Sequence, residues 1–380
     1  MNICLFQQII KSLPRRKIAT LVASHGSDKW MKRFSTYDHL VAMIYAQLCG
    51  QTSLRDLEIS FNASPARHYH LGSKGVKRST LSDANASRPS SVFEAILSVL
   101  LNETIGKTSG EARELVRLLD STIIGLFAKT HHALRFRGNN AAIKLHLLYD
   151  DSSQCPAWFE ITPARLHDSK VCDHLPIEAG MTYVFDRAYN NASFWSEINA
   201  ADAIFVTRPK TSLTFDVKKA RLHPGTMVVA DETIRLGRNP GKKYPELLRR
   251  VEIFDEERGE EIAFITNDFD RDPIAIAELY KRRWKIELFF KWIKQNLKIK
   301  KFLAKNPKAI RLQIITALIA YVLLQNFHQK NRLNIPLKRL AAVVHNYAFN
   351  LGSIAELIKP PDKRCKTNGQ NQLKLNFPGQ

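Results

Sequence analysis

Two aspartates stand where a carboxylate is costly. Asp120 lies inside the apolar run Leu118-Leu119-Asp120-Ser121-Thr122-Ile123, and Asp186 directly follows Tyr183-Val184-Phe185. An ionised carboxylate buried in such a run is unfavourable by several kcal/mol unless something partners it. If the two runs are neighbouring strands, their carboxylates approach each other. Like charges side by side raise one pKa unless a cation sits between them. All-oxygen ligands suit Mg²⁺, and Mn²⁺ can substitute. Each aspartate also has a plainer use, as a salt bridge (Asp186 is next to Arg187) or as a strand-end cap. Two aspartates alone leave these alternatives open.

A third carboxylate shifts the balance. The stretch from Lys281 to Lys308 holds eleven Lys and Arg and one acid, Glu287. On a continuous helix of ~100° per residue, Tyr280, Arg283, Glu287 and Lys294 fall within about 60° of one another. Leu279, Ile286, Phe289, Phe290, Ile293 and Leu297 take the opposite, core-facing arc. An ordinary solvated face mixes both signs so that i,i+4 pairs form; this one is too one-sided. A single acid in a basic groove is better explained as a metal ligand, with the cations around it, Lys291 and Lys298 included, holding phosphates. Trp284 in the same stretch is expected in the core, with base stacking the alternative.

The elements that must position these residues can be read in outline. Residues 1–110 are expected to be helical, with Tyr37–Leu48 stopped by Cys49-Gly50 and a next helix capped by Ser53. That pair has the outline of a helix-turn-helix, but two packed helices explain it as well. The polar, Ser/Gly-rich stretch from Ala66 to Ser91 reads as a loop. From 111 to 210, β-branched runs starting at Val116, Ala141 and Cys155 read as consecutive antiparallel strands, followed by strands ending at Asp186 and starting at Ile204 with a helix between. Residues 211–270 read as a β-rich insertion. Residues 271–358 return to helix, and 359–380 are polar and expected to be disordered. The fold class is α/β with a small all-α N-terminal region.

The spacing Tyr280-x2-Arg283-x3-Glu287-x6-Lys294 resembles the YREK signature of insertion-sequence transposases of insertion-sequence family four, a branch of the DDE transposases. Leu119-Asp120-Ser121-Thr122 is similar to that family's first-aspartate motif and Asp186-Arg187-Ala188-Tyr189 to its second. His167-Asp168 resembles a landmark between them. The resemblance covers residues 115 to 330. It implies a ribonuclease H-like core interrupted by a β insertion, and a helical N-terminal region that binds DNA. It also implies two Mg²⁺ ions on Asp120, Asp186 and Glu287, and phosphate contacts from Tyr280, Arg283 and Lys294. The implied activity is metal-dependent cleavage at element ends and strand transfer into target DNA, by a homodimer on double-stranded DNA. A nuclease without strand transfer, or a DNA-binding regulator, would share some of these features.

Composition agrees with a polyanionic partner: the net charge is +21 over 380 residues. Five scattered cysteines without a CxxC pair argue against a disulfide framework or zinc ribbon and suit a cytoplasmic setting at the nucleoid. No secretory signal is read, and the longest apolar stretch, Ile314–Leu324, reads as a core helix, so no membrane partner is expected. Gly237 to Lys243 has the wrong spacing for a nucleotide-binding loop and reads as a basic turn. His167, Cys172 and His174 fit no common zinc site, and adjacent His131 and His132 would point to opposite faces of a strand.

Overall fold

The computed structural model describes residues 3–108, 114–126, 135–136, 140–297, 299, 302–303, 306–352 and 354–358. Lys298, His131, His132 and the 359–380 tail lie outside the described residues.

Seven helices come first: α1 (Leu5–Ile10), α2 (Arg15–Ser24), α3 (Thr36–Leu48), α4 (Leu54–Asn62), α5 (Pro65–Leu71), α6 (Arg78–Ser87) and α7 (Ser90–Thr108). Ser35 and Asp38 form a reciprocal cap on α3, and the Ser53 hydroxyl accepts from the Asp56 N–H to start α4. Gly50, at φ +64°, turns the chain between them. Because α3 is buried on nearly every side, the α3–α4 pair is core packing. The Ser/Gly-rich stretch is not a loop. Pro65 opens α5 and left-handed Gly72 closes it, while α6 is a polar helix burying only Leu81, Ala84 and Asn85.

The sheet follows. Its strands are β1 (Val116–Leu126), β2 (Arg135–Phe136), β3 (Asn140–Asp150), β4 (Cys155–Pro163), β5 (Thr182–Phe185), β6 (Ile204–Thr207), β7 (Phe215–Arg221), β8 (Val228–Leu236), β9 (Leu247–Asp255) and β10 (Glu260–Thr266). The order is β2-β3-β1-β5-β6-β10-β9-β8-β7, with β4 also on β3. The β1–β3–β4 run is antiparallel and β1–β5–β6 is parallel. This is a mixed α/β fold whose antiparallel β4-β3-β1 and parallel β1-β5-β6 runs match the order expected from the ribonuclease H-like resemblance, and strands β7–β10 extend that sheet through antiparallel pairing of β10 with β6. The Gly237–Lys243 stretch is not an open turn: a short helix, α9 (Arg238–Lys243), follows α8 (Ala192–Ala200) in chain order.

Two apolar clusters cover the two faces of the sheet. One contains Leu118 and Val184 and runs through α10 (Pro273–Lys281), α11 (Trp284–Asn296), α12 (Pro307–Lys330) and the N-terminal helices. The other contains Leu119 and Phe185 and centres on α8 with Trp195. Asn306 caps α12 by accepting from the Ala309 N–H at 2.7 Å. This helix is long and apolar enough to cross a membrane, yet 83% of that stretch is buried inside the protein. It is the axle on which the helical region and the sheet share one core. The chain closes with α13 (Leu337–Tyr347) and α14 (Ile354–Leu357).

Candidate active site

In the parallel pair β1–β5, Leu119 lies opposite Phe185. Asp120 and Asp186 are the next residue on each strand, so they leave neighbouring strands, ~4.8 Å apart, at the same level. Side chains alternate along extended backbone. Asp120 and Asp186, two beyond Leu118 and Val184, therefore share the face under α11, and Asp186 keeps extended backbone (φ −75°, ψ 158°) to do so. Each carboxylate accepts the N–H of the following residue, Ser121 at 2.7 Å and Arg187 at 2.6 Å. Asp186 thus caps the short 3-10 turn 187–189, one of its plainer alternatives, without a bond to the Arg187 side chain.

Glu287 arrives over this face from the first turn of α11. The helix that carries it is not continuous, as the spacing argument took it to be. It breaks at Arg282–Arg283, where the N–H groups of Arg283, Lys285 and Ile286 bond to carbonyls three residues back, a tightened 3-10 turn. The apolar arc survives the break: Leu279, Ile286, Phe289, Phe290, Ile293 and Leu297 are all buried. Trp284 is not in the core; it is 52% exposed.

Arg283 ties the acids together. One guanidinium nitrogen is 3.2 Å from Asp120 Oδ2 and another is 2.7 Å from Glu287 Oε1. Glu287 therefore does make an i,i+4 pair, against the expectation from charge asymmetry. The same guanidinium lies 5.6 Å from the centre of the Tyr280 ring, which rests on Phe264. Lys294 donates to the Thr122 hydroxyl, anchoring α11 to β1 two residues beyond Asp120. Lys291 is exposed. The motif residues thus fall on three pieces, with Tyr280 on α10, Arg283 in the turn, and Glu287, Lys291 and Lys294 on α11.

The electrostatics match a site built for a cation. The Asp120 carboxyl is pushed up to about 6, chiefly by burial; Glu287 and Asp186 add to the rise, and the Ser121 N–H and Arg283 oppose it. The donor set is oxygen only, which suits a hard divalent ion. As they stand, no three His, Cys, Asp or Glu side chains among the described residues close around an ion. Arg283 occupies the space between two of the acids, and its withdrawal is the rearrangement that binding a metal would require.

The three residues weighed for zinc have other partners: His167 contacts the Ser169 hydroxyl. Cys172 bonds the Tyr189 carbonyl and His174 pairs with Glu160. A group that the motifs did not assign is Asp168, which accepts from Ser121 and Lys144. The signal for it was present: Lys144 and His146 are two basic residues on one face of an otherwise apolar strand.

Residues 111–323 match a family model described as a transposase DDE domain, and residues 1–74 match a domain of unknown function (DUF4372). The chain is similar to the Sinorhizobium fredii protein named for transposase y4zB, at 39% identity over 74% of this chain and 80% of the relative. It is also similar to the Geobacillus stearothermophilus protein named for the transposase of insertion sequence element IS5377, at 28% identity over 70% and 71%. Among solved structures, a cryo-EM structure of the piggyBac transposase synaptic complex with hairpin DNA is similar at 7% identity and a TM-score of 0.44, over 94% of this chain and 82% of that one. A family match across more than half the chain, on the segment that carries the two aspartates and Glu287, means that the chain belongs to the DDE-domain transposases of insertion sequences, DNA-acting enzymes whose acids imply a divalent metal.

Proposed function

We propose that this transposase cleaves DNA at the ends of its insertion sequence and joins the exposed 3′-OH to target DNA, using Asp120, Asp186 and Glu287 to hold two Mg²⁺ ions, with Mn²⁺ as substitute. The observation that carries the reading is the in-register pair Asp120 and Asp186 on one face of β1 and β5, with Glu287 brought over them by α11. When bound, the ions would lower the pKa of the attacking hydroxyl and stabilise the departing 3′-oxygen. The residues around them supply the rest. Tyr280, Arg283, Lys291, Lys294 and Lys298 hold the phosphates of the element end, so the scissile linkage lies along the basic face of α11. Arg283 exchanges its two carboxylate partners for a phosphate as the acids take up metal. The same acids serve hydrolysis and transfer in turn, so no covalent protein intermediate and no nucleotide is required.

The helical N-terminal region is assigned to element-end binding. The working form is a homodimer that synapses two ends of double-stranded DNA, in the cytoplasm at the nucleoid. Support comes from the +21 charge and from basic residues exposed around Trp30, itself 87% exposed. The test is to incubate the protein with labelled element-end DNA, a supercoiled target and Mg²⁺. Joined products that vanish in Asp120→Asn, Asp186→Asn and Glu287→Gln, with end binding retained, are expected. Cleavage without joining would assign a nuclease, and joining that survives any of the three would overturn the reading.

A further inference from the structure

The face of the sheet opposite the acids carries a polar network that the reaction as described does not use. Ser121 follows Asp120 and so points to the α8 side, and its hydroxyl donates to Asp168 at 2.8 Å. Lys144 on β3 approaches both Asp168 oxygens, at 3.2 and 3.3 Å, and also donates to the Leu166 carbonyl at 3.0 Å. His146, fully buried and directly across from Ser121 in the β1–β3 register, has Nδ1 3.1 Å from the Tyr189 hydroxyl and Nε2 3.0 Å from Thr162. The same Nδ1 is 3.5 Å from Asp168. Tyr189 is buried three residues beyond Asp186, in the turn that Asp186 caps.

The network therefore has two ends. One is the residue after Asp120 and the other is the turn after Asp186; Asp168 and His146 join them. A partly buried carboxylate, a buried lysine and a fully buried histidine meet here although an apolar filling would serve stability as well or better. A satisfied polar network restricts geometry more tightly than apolar packing does.

We infer that Asp168, held by Lys144, is a positioning residue: with Ser121, His146 and Tyr189 it braces the sheet from behind and fixes the spacing between Asp120 and Asp186. The inference rests on the reading of those two aspartates as metal ligands. Partners of this kind, one step removed from the ligands, typically change metal affinity by about 10–100-fold when removed. A brace that only stabilised the fold would change melting temperature and leave metal affinity alone.

The experiment is Mn²⁺ binding to the full chain, read by the loss of the free-ion electron paramagnetic resonance signal, beside the metal dependence of strand joining. Asp168→Asn is expected to weaken Mn²⁺ binding about 10-fold or more, with joining largely recovered at high Mn²⁺ and end-DNA affinity unchanged. Tyr189→Phe, which removes one hydroxyl, should shift Mn²⁺ affinity in the same direction and serves if Asp168→Asn does not fold. Asp120→Asn is the control. If it loses Mn²⁺ while Asp168→Asn and Tyr189→Phe bind within twofold of the unaltered protein, the brace is wrong and the ligand assignment stands. If Asp120→Asn binds Mn²⁺ normally, both fall.

Discussion

Asp120 should destabilise the protein that it equips. Burial lifts its carboxyl from 3.8 to about 6, which corresponds to ~3 kcal/mol of differential cost between the folded and unfolded chain. The side chain is only 18% exposed, so solvent screens little of this. Because the folded value is raised, Asp120 costs nothing well below pH 3.8, where it is protonated in both states. The cost grows between pH 3.8 and about 6, where the unfolded chain is ionised and the folded one is still protonated, and is complete above that. Asp120→Asn should therefore leave thermal stability nearly unchanged at about pH 3 and raise it at pH 7.5. With ~2.1 cal/mol/K per residue over 380 residues, the unfolding entropy is about 0.8 kcal/mol/K, so ~3 kcal/mol corresponds to ~4 °C in Tm. Scanning calorimetry in a metal chelator across about pH 3 to 8 reads this directly. Adding Mg²⁺ at pH 7.5 should raise the Tm of the unaltered protein towards that of the variant and leave the variant where it was. A variant less stable at pH 7.5, or a gain independent of pH, would mean that the Arg283 ion pair outweighs burial and that the site holds no frustrated charge.

Further outcomes follow from single contacts. Glu287→Gln should reduce strand joining by more than about 100-fold while gel-shift affinity for element ends is retained; parallel loss of both would make Glu287 a structural partner of Arg283. Arg283→Lys should not substitute for the native residue, because an ammonium cannot bond Asp120 and Glu287 through two planar nitrogens at once; full activity in that variant would dissolve the switch between acids and phosphate. Lys294→Met should reduce the slope of log affinity against log salt by about one, uniformly across end sequences. In the β insertion, Arg249 grips buried Asp231 through two bonds of 2.7 and 2.9 Å. Arg249→Met should cost ~3 kcal/mol by leaving that carboxylate with His223 as its remaining side-chain partner, and urea unfolding should show most of it recovered in Asp231→Asn/Arg249→Met.

How much of this was legible beforehand depended on whether a residue's local surroundings made it conspicuous. A carboxylate in an apolar run and a lone acid among eleven cations are visible without coordinates, because each violates a simple cost. The strands β1, β3, β4 and β5 were visible for the same reason, through their apolar, β-branched runs. What stayed hidden had no such local cost. A helix that buries three side chains, as α6 does, has the composition of a loop. The strand β7 is mostly exposed and charged, so no alternation marks it. The break at Arg282–Arg283 is fixed by contacts far away in sequence, Arg282 with Glu114 and Arg283 with Asp120.

Those distant contacts also set which of the motif residues face Asp120. A continuous helix would have displayed the four motif residues in one stripe towards a ligand. The kink instead turns Arg283 inward, between Asp120 and Glu287, and leaves Lys291 on the outside. The basic face thus divides into an inner part that manages the charge of the acids and an outer part, Lys291, which the proposed function assigns to a phosphate backbone. Side-chain alternation divides β1 in the same way, sending Asp120 to α11 and Ser121 to Asp168. Consecutive residues of one strand therefore serve opposite sides of the sheet, one facing the proposed metal site and one facing the proposed brace.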